Sequence, residues 1–170
     1  SVLIPVGVAL QLWLRGTIPI QVWTPSVPDH WQWLAQEDDD DAVIVFPLHG
    51  SQLVGQFQYF HGRALWGGMV EDQPWAHPKD WVTFERGSPL LRSLRLLSYG
   101  RDTRIDRRPE DSAKIQGAGF GWLVFDSRSW ARSRWSGSMD PLRRLRTEFG
   151  TPVYESDSGA IWRLGEHDLN

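Results

Sequence analysis

The sequence predicts a layered α/β fold, a mixed β-sheet with flanking helices and hairpin additions. Two runs carry this expectation. Ala42-Val43-Ile44-Val45-Phe46 and Phe120-Gly121-Trp122-Leu123-Val124-Phe125 are apolar on both faces, as strands covered on two sides are. Segments with leucines at helical spacing lie between and after them, and these supply the covering layers. The 170-residue chain has room for one domain with one sizeable core, and its hydrophobic fraction of 41% argues against disorder. No internal repeat or domain-dividing linker interrupts residues 1–170.

At the start, Ile4, Val6, Val8, Leu10, Leu12 and Leu14 alternate with Pro5, Gly7, Ala9, Gln11 and Trp13, a period-two strand signal. Pro5 suits a strand edge or start. The competing reading makes residues 1–16 the end of, or a linker from, a membrane segment. Residues 2–14 alone are too short to span a bilayer, which needs roughly 20 residues. The start at Ser1 without methionine fits a fragment of a longer chain. Residues 17–23 form a second extended stretch. Ser26-Val27-Pro28-Asp29 has the spacing of a capping box, and Pro28 suits a first helical turn. Trp31, Leu34 and Ala35 then share one face of a short helix. Glu37-Asp38-Asp39-Asp40-Asp41 is a run of like charges, which favours a solvated loop. It lacks the glycine and distal glutamate of a calcium loop.

Pro47 ends the first buried strand. Residues 56–60 and 63–66 flank His61-Gly62, the pattern of a hairpin whose glycine supplies a positive φ. Ser88-Pro89 opens a helix with Leu90, Leu94 and Leu97 on one face, stopped at Gly100. Residues 101–108 form a polar connection and residues 109–116 a short helix. After the second buried strand, Asp140-Pro141 begins a helix bearing Leu142, Leu145 and Phe149, with Gly150 as its stop. Arg143, Arg144 and Arg146 lie in its later half, where cations suit the helix dipole. Residues 152–155 and 160–164 make a closing hairpin around Asp157-Ser158-Gly159.

Composition excludes several chemistries. The absence of cysteine removes disulfides, thiolate nucleophiles and cysteine-based zinc sites. A net charge of −3 provides no bulk field for nucleic acid or anionic lipid. Gly117-Ala118-Gly119-Phe120-Gly121 precedes a strand, whereas a dinucleotide loop follows a strand and opens a helix. No nucleophile-elbow, Walker or HExxH pattern occurs. His49, His61 and His77 are conceivable zinc ligands, but no helical or hairpin spacing brings them together. Arg101, Arg104, Arg107 and Arg108 make a basic patch, interleaved with Asp102 and Asp106, that reads as a solvated loop rather than a nucleic-acid site. Eleven tryptophans fit either an aromatic core or a sugar-stacking surface.

The constellation with most chemical content is His61-Gly62-Arg63, followed by Trp66-Gly67-Gly68 and Glu71-Asp72. An arginine fork binds phosphate or carboxylate in bidentate fashion, and a tryptophan face suits a sugar ring. His61, Arg63, Trp66, Glu71, Asp72 and His49 are therefore the candidate ligand-binding residues. The competing role is anchoring, in which His61 and Arg63 satisfy buried backbone carbonyls beneath a glycine-rich loop.

Several stretches together resemble a known pattern. They are residues 28–34 with Ala35, residues 42–48, Phe60-His61-Gly62-Arg63 with Gly67-Gly68, residues 119–125, and Pro152-Val153-Tyr154-Glu155 with Ile161-Trp162-Arg163-Leu164. Across about residues 20–165 the chain is similar to the C-terminal soluble domain of multi-span bacterial membrane glycosyltransferases that use polyprenyl-phosphate sugars. It departs from that pattern at Ala64, where proline is usual, and before the later strand, where glycine replaces the common Arg-Tyr. The resemblance implies an extracytoplasmic accessory domain that stabilises the membrane part of its own chain or contacts glycan acceptor or lipid-linked sugar. It implies no catalytic residue, metal or cofactor within this segment, because the family's catalytic acids lie in loops of the membrane part. Two rival expectations are a free-standing carbohydrate-binding module and a small hydrolase or transferase using His61 with Glu71 or Asp72.

Overall fold

Alternation along the two doubly apolar strands sets up two cores, one on each face of a sheet. The computed structural model describes residues 26–48, 53–66 and 79–165. The extended stretches expected at residues 2–14 and 17–23, together with His49, Gly67, Gly68, Glu71 and Asp72, lie outside the described residues.

In chain order the elements are α1 (Asp29–Leu34), β1 (Ala42–Phe46), α2 (Leu53–His61), β2 (Leu65–Trp66), α3 (Lys79–Arg86), α4 (Pro89–Ser98), α5 (Pro109–Gly117), β3 (Phe120–Asp126), α6 (Ser127–Arg132), α7 (Pro141–Phe149), β4 (Tyr154–Ser156) and β5 (Gly159–Arg163). The strands form one mixed sheet in the order β2-β1-β3-β5-β4. β1 runs parallel to β2 and β3, while β5 is antiparallel to β3 and β4. The expected layered α/β architecture is therefore present, with β1 and β3 at its centre. Among the described residues, no helix is long and apolar enough to cross a membrane.

Ile44, Phe46, Leu123, Phe125, Ala160 and Trp162 point to one core. Leu90, Leu91, Leu94 and Leu97 of α4, Ile115 of α5, and Leu145 and Phe149 of α7 cover it. Val43, Val45, Trp122, Val124 and Ile161 point the other way and meet Trp31 and Leu34 of α1 and Val54 and Phe57 of α2. Every side chain of β1 from Val43 to Phe46 is at most 1% exposed, which is why this run shows no polar face in the sequence.

The helix ends follow local chemistry. The Ser88 hydroxyl accepts from the Leu91 amide at 3.1 Å, and Pro89 occupies the first turn of α4. At its other end Gly100 has φ +69°, and the amides of Arg101 and Gly100 donate to the carbonyls of Leu96 and Leu97. This is the glycine closure that satisfies the last carbonyls of a helix. Asp140 caps α7 through the Arg143 amide at 3.1 Å. The capping box expected at Ser26 does not form. Pro28 holds the N-cap position of α1 without a side-chain bond.

The structure differs from the sequence reading at residues 53–66. The expected hairpin is instead helix α2 followed by the short strand β2. Val54 and Phe57, three residues apart, face the core, while Gln56, Gln58 and Tyr59 are exposed. Val54 and Phe57 make the buried stripe of this helix, while Tyr59 and Phe60 are exposed. Gly62 does adopt a positive φ of +73°, but it closes α2 by donating to the Gln58 carbonyl at 2.8 Å. Topology explains the outcome, since β1 and β2 are parallel and a parallel pair needs a crossover rather than a tight turn. Two further helices, α3 and α6, were not anticipated. α3 buries no residue fully and packs only Trp81 and Phe84 on the core.

At the β4–β5 turn, Gly159 lies against β3. A Cβ there would collide with the Phe125 carbonyl oxygen and approach His30 Nδ1 to 2.9 Å. Gly159→Ala is expected to destabilise the fold by about 3 kcal/mol, the range of an overpacked core. Urea unfolding of both proteins checks this, and an unchanged midpoint would contradict the packing described.

Candidate functional site

Five consecutive acids between α1 and β1 repel one another unless cations are brought to them. The fold brings two. Arg63, just before β2, pairs with Asp39 and donates to the carbonyls of Glu37 at 2.9 Å and Asp41 at 3.2 Å. Arg163, at the end of β5, donates to Asp39 Oδ2 at 2.8 Å and Asp41 Oδ2 at 2.6 Å. Trp122 of β3 lies among these groups. Its indole N–H donates to Asp39 Oδ1 at 3.0 Å, and the guanidinium of Arg163 sits 4.3 Å from its ring centre. Gly121 allows this approach, because a Cβ there would collide with the Asp41 carboxylate. Burial by itself raises the Asp39 carboxyl. Hydrogen bonds from Trp122, Arg63 and the Asp41 amide outweigh it and lower the pKa to about 2.

Beside this loop opens a cleft of about 370 Å³ lined by Trp33, Glu37, Asp39, Trp122, Val153 and Arg163. Trp33 stacks on Tyr154 at 5.3 Å and meets Trp122 edge-on at 5.9 Å. The lining combines the partly exposed ring of Trp33, the carboxylates of Glu37 and Asp39 on the acidic loop, and the Arg163 guanidinium at the end of β5, while Trp122 is buried beneath Arg163 and holds Asp39 from below. Such a wall suits a hydroxyl-rich ligand with an apolar ring face. It is poorly equipped for proton transfer, because Asp39 stays ionised far below neutral pH.

The sequence-derived candidates separate in space. His61 ends α2 and stacks on Trp31 at 5.0 Å. Its Nδ1 accepts from the Arg63 amide at 3.1 Å, and its Nε2 is buried with no hydrogen-bond partner among the described residues. Burial first, and then the charge of Arg63, lower its pKa to about 4. The Arg63 side chain is 3% exposed and spent on the acidic loop, so it anchors backbone carbonyls, the second of the two roles considered for it. Trp66 is buried in the opposite core, stacked on Trp81 at 4.3 Å. Among the described residues, His61 and Trp66 therefore lie on opposite faces of the sheet. The cleft residues Trp33, Trp122 and Arg163 were not singled out. Arginine at the end of an otherwise apolar closing strand, in a chain with an unpaired acidic run, was the available signal.

A second buried polar cluster also escaped the sequence reading. His30 of α1 is fully buried, with Nε2 3.2 Å from Asp126 Oδ2 and Nδ1 2.9 Å from Ser158 Oγ. Asp126 also accepts from the Trp31 indole at 3.2 Å and caps α6 through the Ser129 amide at 2.7 Å. Ser158 Oγ lies 2.9 Å from Ser156 Oγ. Burial raises the Asp126 carboxyl, yet its bonds from His30 and Ser129 prevail and hold it below the ordinary value. The three residue types are those of a hydrolase triad. Here, however, the imidazole is enclosed and the serine already has a second hydroxyl partner. The cluster fastens α1, the end of β3 and the β4–β5 turn together.

The chain matches no family model, no curated protein and no solved structure.

Truncation of Arg63 would leave Asp39 short of a partner and two loop carbonyls unbonded. Arg63→Ala is expected to cost about 2 kcal/mol, less than a fully buried pair because solvent reaches the Asp39 carboxylate, read as a lower urea midpoint. His61 provides a pH test. Its folded pKa is depressed to about 4, so the unfolded chain binds its proton first. Stability is full above the unfolded value of roughly 6.5 and declines as pH falls from there towards 4. His61→Phe, which keeps an aromatic ring on Trp31, should flatten the urea midpoint over that window. An unaltered pH slope would show that His61 does not titrate as described.

Proposed function

We propose that this domain is a non-catalytic accessory domain that contacts glycan, either a glycan acceptor or a lipid-linked sugar. In this reading it is carried on the extracytoplasmic side of a multi-span membrane glycosyltransferase-like protein. The cleft of Trp33, Trp122, Glu37, Asp39 and Arg163 is the observation that carries the glycan contact. Sugars present a C–H face that packs on indole and hydroxyls that bond to carboxylate and guanidinium. Arg63 and Arg163 fix the acidic loop at the cleft wall, so a ligand meets preformed polar groups and little conformational entropy is lost on binding. The placement in a membrane glycosyltransferase-like parent rests on the motif series that includes Ala42 to Leu48 and Phe60-His61-Gly62-Arg63.

A free-standing carbohydrate-binding module would use the same cleft and differ only in what the domain is attached to. Fractionating cells that make the native full-length product separates the two. Recovery with membranes, with this domain open to added protease from outside the cytoplasm, supports the accessory reading. Recovery in the soluble fraction supports the module.

The glycan contact itself is tested by titrating the protein with neutral and acidic oligosaccharides while following tryptophan fluorescence. Saturable quenching is expected, weakened about tenfold or more in Trp33→Ala, as befits loss of an aromatic anchor. Trp66→Ala, on the other side of the sheet, should not weaken binding if its stability permits measurement. Absence of any saturable response across the sugars, or quenching indifferent to Trp33→Ala, would remove the cleft from the proposal.

A further inference from the structure

On the opposite face of the sheet from the tryptophan cleft, α3, α4 and the 101–108 connection enclose a second cleft of about 410 Å³. Arg86, Arg92, Arg104 and Arg108 line it, against one carboxylate, that of Asp106. They come from three places in the chain: Arg86 from the last turn of α3, Arg92 from α4, and Arg104 and Arg108 from the connection. The Arg108 guanidinium holds Asp106 through two bonds of 3.1 and 2.9 Å. The lining acid is thereby neutralised. The guanidinium groups of Arg86 and Arg92 have no hydrogen-bond or ion-pair partner among the described residues, and Arg104 makes no hydrogen bond but shares the charge of Asp106 with Arg108. Four guanidinium groups thus face the single carboxylate of Asp106, which leaves the concavity with excess positive charge.

The start of α4 borders this cleft, but its amides are already used. Leu90 N donates to Asp111 Oδ2 at 2.8 Å and Leu91 N to Ser88 Oγ at 3.1 Å. Recognition therefore falls to the arginine forks. Each fork matches two oxygens of a phosphate, and three of them exceed what one carboxylate can satisfy. The volume is in the range of small-molecule sites.

We propose that the Arg86–Arg92–Arg104 cleft binds a phosphate-bearing ligand, with a diphosphate group as the best match to its charge. The binding is electrostatic, reversible and weakened by salt, because the arginines are exposed. It does not depend on the glycan contact, which lies across the sheet.

Inorganic pyrophosphate titrated by calorimetry, with orthophosphate and sulfate alongside, is the direct test. Saturable binding is expected, tighter for pyrophosphate than for the smaller anions and weakened about tenfold by each of Arg92→Gln and Arg104→Gln. Arg143→Gln on α7 and Trp33→Ala should leave it unchanged, so failure here and failure of the glycan contact remain distinct. Co-sedimentation with phosphatidylcholine vesicles containing or lacking phosphatidylglycerol identifies the source of the phosphate. Sedimentation that requires the anionic lipid and is lost in Arg92→Gln assigns the cleft to a lipid headgroup. Pyrophosphate binding without sedimentation assigns it to a free phosphorylated solute. No binding in either arm, or binding equally reduced by Arg143→Gln, overturns the proposal.

Discussion

The molecule depends on how one run of five acids is held down. Asp39 alone takes hydrogen bonds from Arg63, Arg163 and Trp122, residues from before β2, the end of β5 and the middle of β3. Without those donors the loop would move into solvent, and the wall of the tryptophan cleft would go with it. The lowered pKa of Asp39, about 2, is the thermodynamic sign that the ionised carboxylate belongs to the folded state. Only the Arg63 side of the pair is buried, so breaking it by removing Asp39 would leave an uncompensated buried guanidinium, which is destabilising.

The sheet divides the protein's surfaces as well as its core. On the α1–α2 face, aromatic rings and carboxylates form the tryptophan cleft, and the His30–Asp126–Ser158 cluster pins the turn beside Tyr154 and β5. On the α4 face, leucines interleave with aromatic rings such as Trp66, Phe125 and Trp162 in the core, and the rim is basic. Loops at the periphery carry exposed charge while β1 and β3 stay dry, so the polar chemistry is positioned by an apolar frame. The two proposed ligands, a glycan and a phosphate group, therefore meet chemically different walls.

The doubly buried strands were legible because burial on both faces demands apolar residues at every position, as in Val43–Phe46. Helices α4 and α7 were legible from Ser88-Pro89, Asp140-Pro141, Gly100 and Gly150, each a local signal with a local cause. The hairpin expected around His61-Gly62 is helix α2 and strand β2 instead, because the parallel pairing of β1 with β2 requires a crossover there. The site was largely illegible. Adjacency of His61, Arg63 and Trp66 in sequence predicted a shared cleft, but Arg63 turns into the acidic loop and Trp66 faces the opposite core.

By itself the sequence determined which segments are strands buried on both sides, where α4, α5 and α7 lie, and which chemistries lack their residues. Those properties depend on periodicity and on neighbours within a turn or two. Tertiary structure alone decided which arginine meets which acid, since Arg163 and Asp39 are 124 residues apart and long side chains leave no periodic trace of their partners. It likewise decided that Trp33 and Trp122 share a cleft while Trp66 is sealed away, because that choice is made by which face of the sheet each ring is packed against.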